Sequence, residues 1–363
     1  MQLRQSTVLT SVIFGFALLA NNAPAAEGGG PGSKRNPVDL GTLGGMFSQA
    51  SGVDAFTNHV AGSSSLTDEV AIHAVVWDGH SHAMTDLGVL FGGTNSSAAG
   101  VTSKGVAAGT SDYNDPIFGV VQRAFIYHNS ALKMIGTFGG SQSYGTGINE
   151  NNQVAGYATT ADDATTHAFL YNSSSAGLLD LGTLIGAGGN SEAFALNNFG
   201  AVGGSSDTGK VDAFGNPITD AVIWSVGKKI QINDLGNLSG GTYAQVNALN
   251  NFGLATGFST LASGQSDAFV YFAGQLYDIG TLGGSAAEGL GINDLGFVVG
   301  YSNTTGDAGI DAFLWTPFTG MIDLNSLLPP NSPWVLLQAS GINDDGTIVG
   351  YGLINGEYHA FIL

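Results

Sequence analysis

The chain has 363 residues, 57 of them glycine and none cysteine, and sets 9 Lys and Arg against 28 Asp and Glu for a formal net charge of −19. Only 10% of the residues are charged beside 43% hydrophobic, which excludes a solvated disordered chain, while so much glycine with so little Lys and Glu excludes long helices. So acidic a surface also excludes partners held through phosphate charge, both nucleic acid and anionic bilayers, and leaves an all-β fold as the expectation.

In chain order, residues 1–26 read first as an export signal. Arg4 is the sole early charge, the apolar run from Val8 to Ala20 is too short to span a bilayer, and Ala23-Pro24-Ala25-Ala26 offers the small residues after which signal peptidase cuts. Secretion or release to the periplasm of a bacterium is therefore expected, with no lipid anchor and, without cysteine, no disulfide staples. Residues 27–37, Glu-Gly-Gly-Gly-Pro-Gly-Ser-Lys-Arg-Asn-Pro, read as a flexible leader.

From Val38 to Leu363 the sequence repeats. Asp-Leu-Gly-Thr-Leu-Gly-Gly at Asp39 to Gly45 returns in shorter or altered form from Asp86, Ile135, Asp180, Asp234, Asp278 and Asp323. A second phrase, x-Ala-Phe-(apolar)-(aromatic), keeps step with alanines at Ala74, Ala124, Ala168, Ala221, Ala268, Ala312 and Ala360. The mean period of about 48 residues falls in the range of propeller blades. Each copy divides into four strand-like pieces, in the sixth Ala287 to Ile292, Phe297 to Tyr301, Ala312 to Trp315 and Met321 to Leu324. Asn293-Asp294-Leu295-Gly296 joins the first two as a tight hairpin with Gly at the positive-φ position. Asn152 takes the Gly place in the third copy, and Thr57, the poorest fit, takes it in the first.

The last copy stops after its third strand, and the repeats open with an orphan fourth strand, Val38-Asp39-Leu40. Together they predict a seven-bladed β-propeller over residues 38–363, four antiparallel strands per blade, closed by the N-terminal strand completing the C-terminal blade. The donated strand is outermost, so the Ser-x-Ala-x-Gly-Ile-Asn strand lies at the axis, and Phe125, Phe169, Phe269, Phe313 and Phe361 are expected to pack between blades.

The three phrases together, Asp-Leu-Gly-Thr-Leu-Gly-Gly, Gly-Ile-Asn-x-x-Gly-x-Val-Val-Gly and His-Ala-Phe at His167 to Phe169 and His359 to Phe361, resemble the HAF repeat family of probable extracellular bacterial proteins. The resemblance covers essentially all of Val38 to Leu363 and implies an exported repeat protein, with no catalytic motif to transfer. The histidine is replaced by Arg123, Asp220, Asp267 and Asp311 in four copies, so a ring of identical metal-binding histidines is not expected.

Chemical motifs are mostly missing: there is no Gly-x-Ser-x-Gly, no His-Glu-x-x-His, no complete phosphate-binding glycine loop and no EF-hand, and no catalytic residue is assigned. His80-Ser81-His82 reads as a solvated hairpin tip rather than a metal pair, for want of a third ligand nearby. The loops between second and third strands vary in length and are acidic, with Asp162, Asp163, Asp307 and Asp311 as candidate ligands for a divalent cation. Calcium is the one cofactor this pattern suggests; solubility alone explains the charge equally. The second position of each innermost strand reads Gln49, Ser97, Tyr144, Glu192, Gln245, Glu288 and Gln338, polar groups expected to encircle an axial mouth. They suit a sugar or cation, and Glu192 with Glu288 is a conceivable acid/base pair, the alternative being hydrated residues at a funnel entrance. The expectation is a monomeric module that binds an extracellular ligand, whether glycan, cation or protein, through its acidic loop face. A glycan-active lyase or hydrolase and a structural or adhesive surface protein are the alternatives.

Overall fold

The computed structural model describes residues 34, 36–173, 177–186 and 188–363. The expected export signal and all of the expected leader except Lys34, Asn36 and Pro37 lie outside them. The fold is all-β: the described residues form 28 strands and two short 3-10 turns, with no α-helix. None of them forms a helix long and apolar enough to cross a membrane.

Every repeat is an antiparallel meander, as its alternating apolar positions require. In the sixth, Gly283–Ile292 pairs with Val298–Thr304, that with Ile310–Thr316, and that with Gly320–Asp323. Hydrogen bonding groups the strands into five sheets, three of four strands and two of eight. The larger sheets arise where a first strand reaches back to the third strand of the preceding repeat in a parallel bridge, Phe47 to Tyr358 in one and Ser266 to Ala286 in the other. The N-terminal strand Val38–Asp39 pairs antiparallel with the last strand, Val38 facing Ile362 and Asp39 facing Phe361. Leu40 extends this join, its N–H donating to the Ala360 carbonyl at 3.0 Å and its own carbonyl accepting from Trp77 Nε1 at 2.8 Å.

Each sheet has two apolar faces, so the core is divided among the spaces between consecutive repeats. Phe125 packs with Ala61, Ala74 and Val76 of the repeat before it, and Phe313 with Ala268, Val270 and Ala287. The last repeat meets the first in the same way, Val349 and Ala360 lying against Ala50, Val60, Val75 and Trp77. All five phenylalanines expected between blades are fully buried, each contributing roughly 1.5–3 kcal/mol.

A buried serine staples neighbouring repeats together. Ser96 Oγ donates to the Gly88 carbonyl at 2.6 Å and accepts the Ala74 N–H at 2.8 Å. Ser48 bridges Gly41 and Ala360 likewise. The Gly of the Val-Val-Gly phrase is dictated by close approach: a Cβ at Gly300 would fall on the Glu288 carbonyl oxygen and 2.8 Å from the Phe313 ring.

In five repeats the hairpin after the first strand is built on an asparagine, and in the second Thr102 takes its place. Asn293 Oδ1 accepts the N–H groups of Leu295 and Phe297, and Gly296 takes φ 76°. The first repeat departs from the expected alignment. There Asp54 opens a turn one residue longer, Asn58 holds the positive φ at 60°, and Thr57 instead donates its hydroxyl to Asp54. Thr57 is therefore not strained, because the left-handed position has moved to an asparagine, which tolerates it.

Candidate functional site

All seven first strands carry a one-residue bulge at the same register, with Ser51, Ala99, Thr146, Phe194, Asn247, Leu290 and Ser340 as the unpaired residues. The bulge bends each strand at this point, and these residues line one shared cavity of about 220 Å³ together with the glycines and apolar residues that follow. Residues from all seven first strands therefore line this common channel.

At one end of that channel the hairpin turns meet, around a second cavity of about 180 Å³. The turn amides run from repeat to repeat. Asn149 Nδ2 donates to the Asn197 carbonyl (2.9 Å), Asn197 to Asn250 (3.0 Å), Asn250 to Asn293 (3.0 Å), Asn293 to Asn343 (3.0 Å), and Asn343 to Asp54 (3.3 Å). In five of the turns the next residue repeats the motif, its N–H donating to the side chain of its neighbour, as from Asn251 to Asp294 (2.9 Å) and from Asp294 to Asp344 (2.7 Å). Most polar groups at this end hold the repeats together, while the buried Oδ1 of Asn152 has no partner among the described residues.

The other end bears the loops and the candidate mouth. Gln49, Ser97, Tyr144, Glu192, Gln245, Glu288 and Gln338 all stand two residues before the bulge, each partly buried, at one equivalent position. Opposite them on the second strands are Ser63, Thr110, Tyr157, Ser205, Phe258, Tyr301 and Tyr351. Tyr144 stacks on Tyr157 with centroids 4.8 Å apart, Tyr157 lies 5.7 Å from Phe194, and Tyr243 stacks on Phe258 at 5.6 Å. Tyr243 also donates its hydroxyl to Gln245 at 2.9 Å, and Gln245 donates in turn to Asn247 at 2.6 Å. The third, fifth, sixth and seventh repeats thus put aromatic rings in these pairs and the fourth adds Phe194 at its bulge, an aromatic arc, while the first two present only polar groups.

Both mouth carboxylates are perturbed. Burial, and then the charge of Asp207, pushes the Glu192 carboxyl above its ordinary range. Burial raises Glu288 too, partly offset by the Tyr301 hydroxyl. The hydroxyl of Tyr243, in the repeat between them, is raised by burial and feels both carboxylate charges. Neither shift has the other carboxylate among its causes, and the two belong to the fourth and sixth repeats.

The acidic loop residues are occupied individually. Asp163 Oδ1 accepts the Ser141 N–H (2.6 Å) and hydroxyl (3.1 Å), and Asp307 does the same for Ser285 (2.7 and 2.9 Å). Asp162 caps its own turn through Ala164 N–H and Thr160 Oγ1. Asp311 is raised by burial and by Asp323. Asp162 and Asp163 share one turn in the third repeat, whereas in the sixth Asp307 lies in the turn and Asp311 on the strand Ile310–Thr316; among the described residues no three His, Asp or Glu side chains converge as a metal group. His80 and His82 sit in a turn held by Asp78.

Composition alone does not point to Tyr157, Tyr301 and Tyr351, although each follows the glycine of the second-strand phrase. The loop face is also less uniformly acidic than expected: Ile117 and Phe214, at the tips of the two longest second-to-third-strand hairpins, are 83% and 91% exposed.

No family model matches the chain, and no curated protein matches it by sequence. Among solved structures it is similar to the β-propeller domain of the Trilobed protease from Pyrococcus furiosus, which has an open velcro topology. The TM-score is 0.52 at 11% identity, over 87% of this chain and 95% of that one. It also resembles the Pyrococcus horikoshii acylaminoacyl peptidase (TM-score 0.48, 8% identity, 89% of this chain and 52% of that one). A third is the gluconolactonase XC5397 from Xanthomonas campestris (TM-score 0.38, 9% identity, 94% and 99%). The likeness to the Trilobed protease domain establishes a β-propeller-type fold and nothing about chemistry.

Proposed function

We propose that the chain is an exported, seven-bladed propeller of HAF-repeat type that acts as a binding module through its loop-bearing face, with the axial mouth as the ligand site. Seven is the count that follows from dividing each eight-stranded sheet at its single parallel bridge into two four-stranded meanders. The pairing of Val38–Asp39 with the last strand, and the core shared by the last and first repeats, speak for a closed ring.

The observation that carries the binding reading is the mouth itself. One end of the channel commits most of its polar groups to links between repeats, whereas at the other end the Glu192 carboxylate accepts no hydrogen bond from any described residue. Partly buried polar groups around a fixed scaffold are the ordinary makings of a ligand site. The acidic loops and the exposed Ile117 and Phe214 surround it and suit contact with a larger partner.

A thermal-shift screen of the protein against glycans, calcium and other divalent cations, referenced to chelator, tests this reading. Binding to the folded state alone raises the midpoint with ligand concentration. A flat response across the panel would refute a small-molecule mouth and favour the adhesive role. The hydrolase or lyase reading requires Glu192 and Glu288, so a Glu192→Gln/Glu288→Gln variant that folds and retains any measured turnover would remove it.

A further inference from the structure

We infer that the axial mouth takes an organic ammonium ion, a protonated or quaternary amine, held between Glu192 and Glu288 against the tyrosine arc. The inference rests on the mouth being the ligand site, and it names the ligand's chemistry.

Two observations converge on a cation. The first is uncompensated charge. Glu192 and Glu288 are partly buried, neither forms an ion pair among the described residues, and Glu192 carries the added field of Asp207. A neutral ligand can offer such carboxylates only hydrogen bonds, whereas a cation adds Coulomb attraction. The second is the aromatic wall. Tyr144, Tyr157, Tyr243, Phe258, Tyr301 and Tyr351 each keep part of their surface open. Ring faces attract cations, most strongly organic ones that are weakly hydrated.

Two of the chain's own cations are engaged elsewhere. Arg123 pairs with Asp115 at 2.9 Å and lies 5.9 Å over Tyr113, and Lys133 lies 6.0 Å over Tyr171; no described Lys or Arg lies over a mouth tyrosine. A hard dication fits less well. It demands six to eight converging oxygens, and the two carboxylates belong to repeats separated by the one that carries Tyr243.

The expected arrangement has the ammonium group over the Tyr243 ring, one carboxylate on each side, with the rest of the ligand directed toward Gln49 and Ser97, whose pairs carry no aromatic ring. The proton inventory is unchanged by binding, apart from ionisation of whatever fraction of Glu192 and Glu288 is protonated in the free protein. Affinity therefore falls as the pH drops into the carboxyl range.

The test is isothermal titration of the full chain with choline and with 3,3-dimethyl-1-butanol, its uncharged isostere. Choline is expected to bind at least about tenfold more tightly than the isostere. Glu192→Gln/Glu288→Gln is expected to lower choline affinity about tenfold or more, and Tyr243→Ala to lower it severalfold, while Tyr243→Phe, which keeps the ring, retains it. Melting curves of each variant establish folding, and the single Glu192→Gln and Glu288→Gln changes stand in if the double variant is unfolded. No choline binding, equal binding of the isostere, or undiminished binding by the glutamine variants would overturn the inference. A neutral saccharide that binds and is lost with Tyr243→Ala, while choline does not bind, would leave the mouth as the ligand site and refute only the cationic class.

Discussion

Replacing Asn293 by alanine removes a side chain that is 3% exposed and makes three hydrogen bonds: it accepts from Leu295 and Phe297 N–H and donates to the Asn343 carbonyl. At about 1 kcal/mol net for each bond, the loss is about 3 kcal/mol. Asn293→Asp keeps both acceptors but sets a buried, charged oxygen against the Asn343 carbonyl in place of the donating amide, so a loss at least as large as that of the alanine variant is expected. Asp54 avoids this conflict because both its oxygens have donors, Oδ1 from Phe56 and Thr57 N–H and Oδ2 from His59 N–H. Urea unfolding at neutral pH, followed by far-UV circular dichroism, measures both variants, and the slopes report whether cooperativity between repeats survives. If Asn293→Ala lay within about 0.5 kcal/mol of the parent, the range of an ordinary surface change, the amide chain would carry no stability. If Asn293→Asp cost only about 1 kcal/mol, the buried carboxylate would not meet the Asn343 carbonyl as the structure places it.

Phe313→Ala empties a fully buried site between two repeats and is expected to cost about 3–5 kcal/mol in the same assay. Gly300→Ala is expected to cost at least about 2 kcal/mol, since the new methyl meets a backbone carbonyl that cannot move without shifting the strand; a neutral result would mean that the strand pair is looser than its register implies. Burial and the charges of Asp234 and Asp278 push Asp220 and Asp267 each up to about 6. The folded state therefore holds protons that the unfolded chain releases near 4, and these sites favour folding less and less as pH rises from about 4 to 6. Melting temperature measured across that window should fall more steeply for the parent than for Asp220→Asn/Asp267→Asn, and parallel curves would refute the assignment.

The repeating core is legible in the sequence because its signal is local. Phe125, Phe169, Phe269, Phe313 and Phe361 each follow a small alanine on an alternating strand, and burial on one face is what that pattern encodes. The mouth is legible in half. Gln49 to Gln338 share a register that repeat alignment exposes, but their facing tyrosines depend on cross-strand pairing, and the bulge two residues on leaves no mark in composition. The turn amides read in the sequence as turn formers, which they are; their second role, donation to the following repeat, joins residues about fifty apart and belongs to tertiary structure. Asp163 and Asp307 look free to bind metal for the same reason. Each caps the start of its repeat's first strand some 22 residues earlier, a partner that no local window contains. At Thr57 the difference is one of length, a turn with one extra residue.

Val38 faces Ile362 and Asp39 faces Phe361, so the first and last strands run antiparallel and leave the molecule from the same edge. A pulling force applied between residues 38 and 363 would therefore load these pairs one after another, like a zipper, rather than all at once in shear. The same join, left unloaded, shields the edge of the last strand from any second chain. The join is thus covered on the last strand yet weak to tension between residues 38 and 363, a combination that tolerates a load on either strand and not on both.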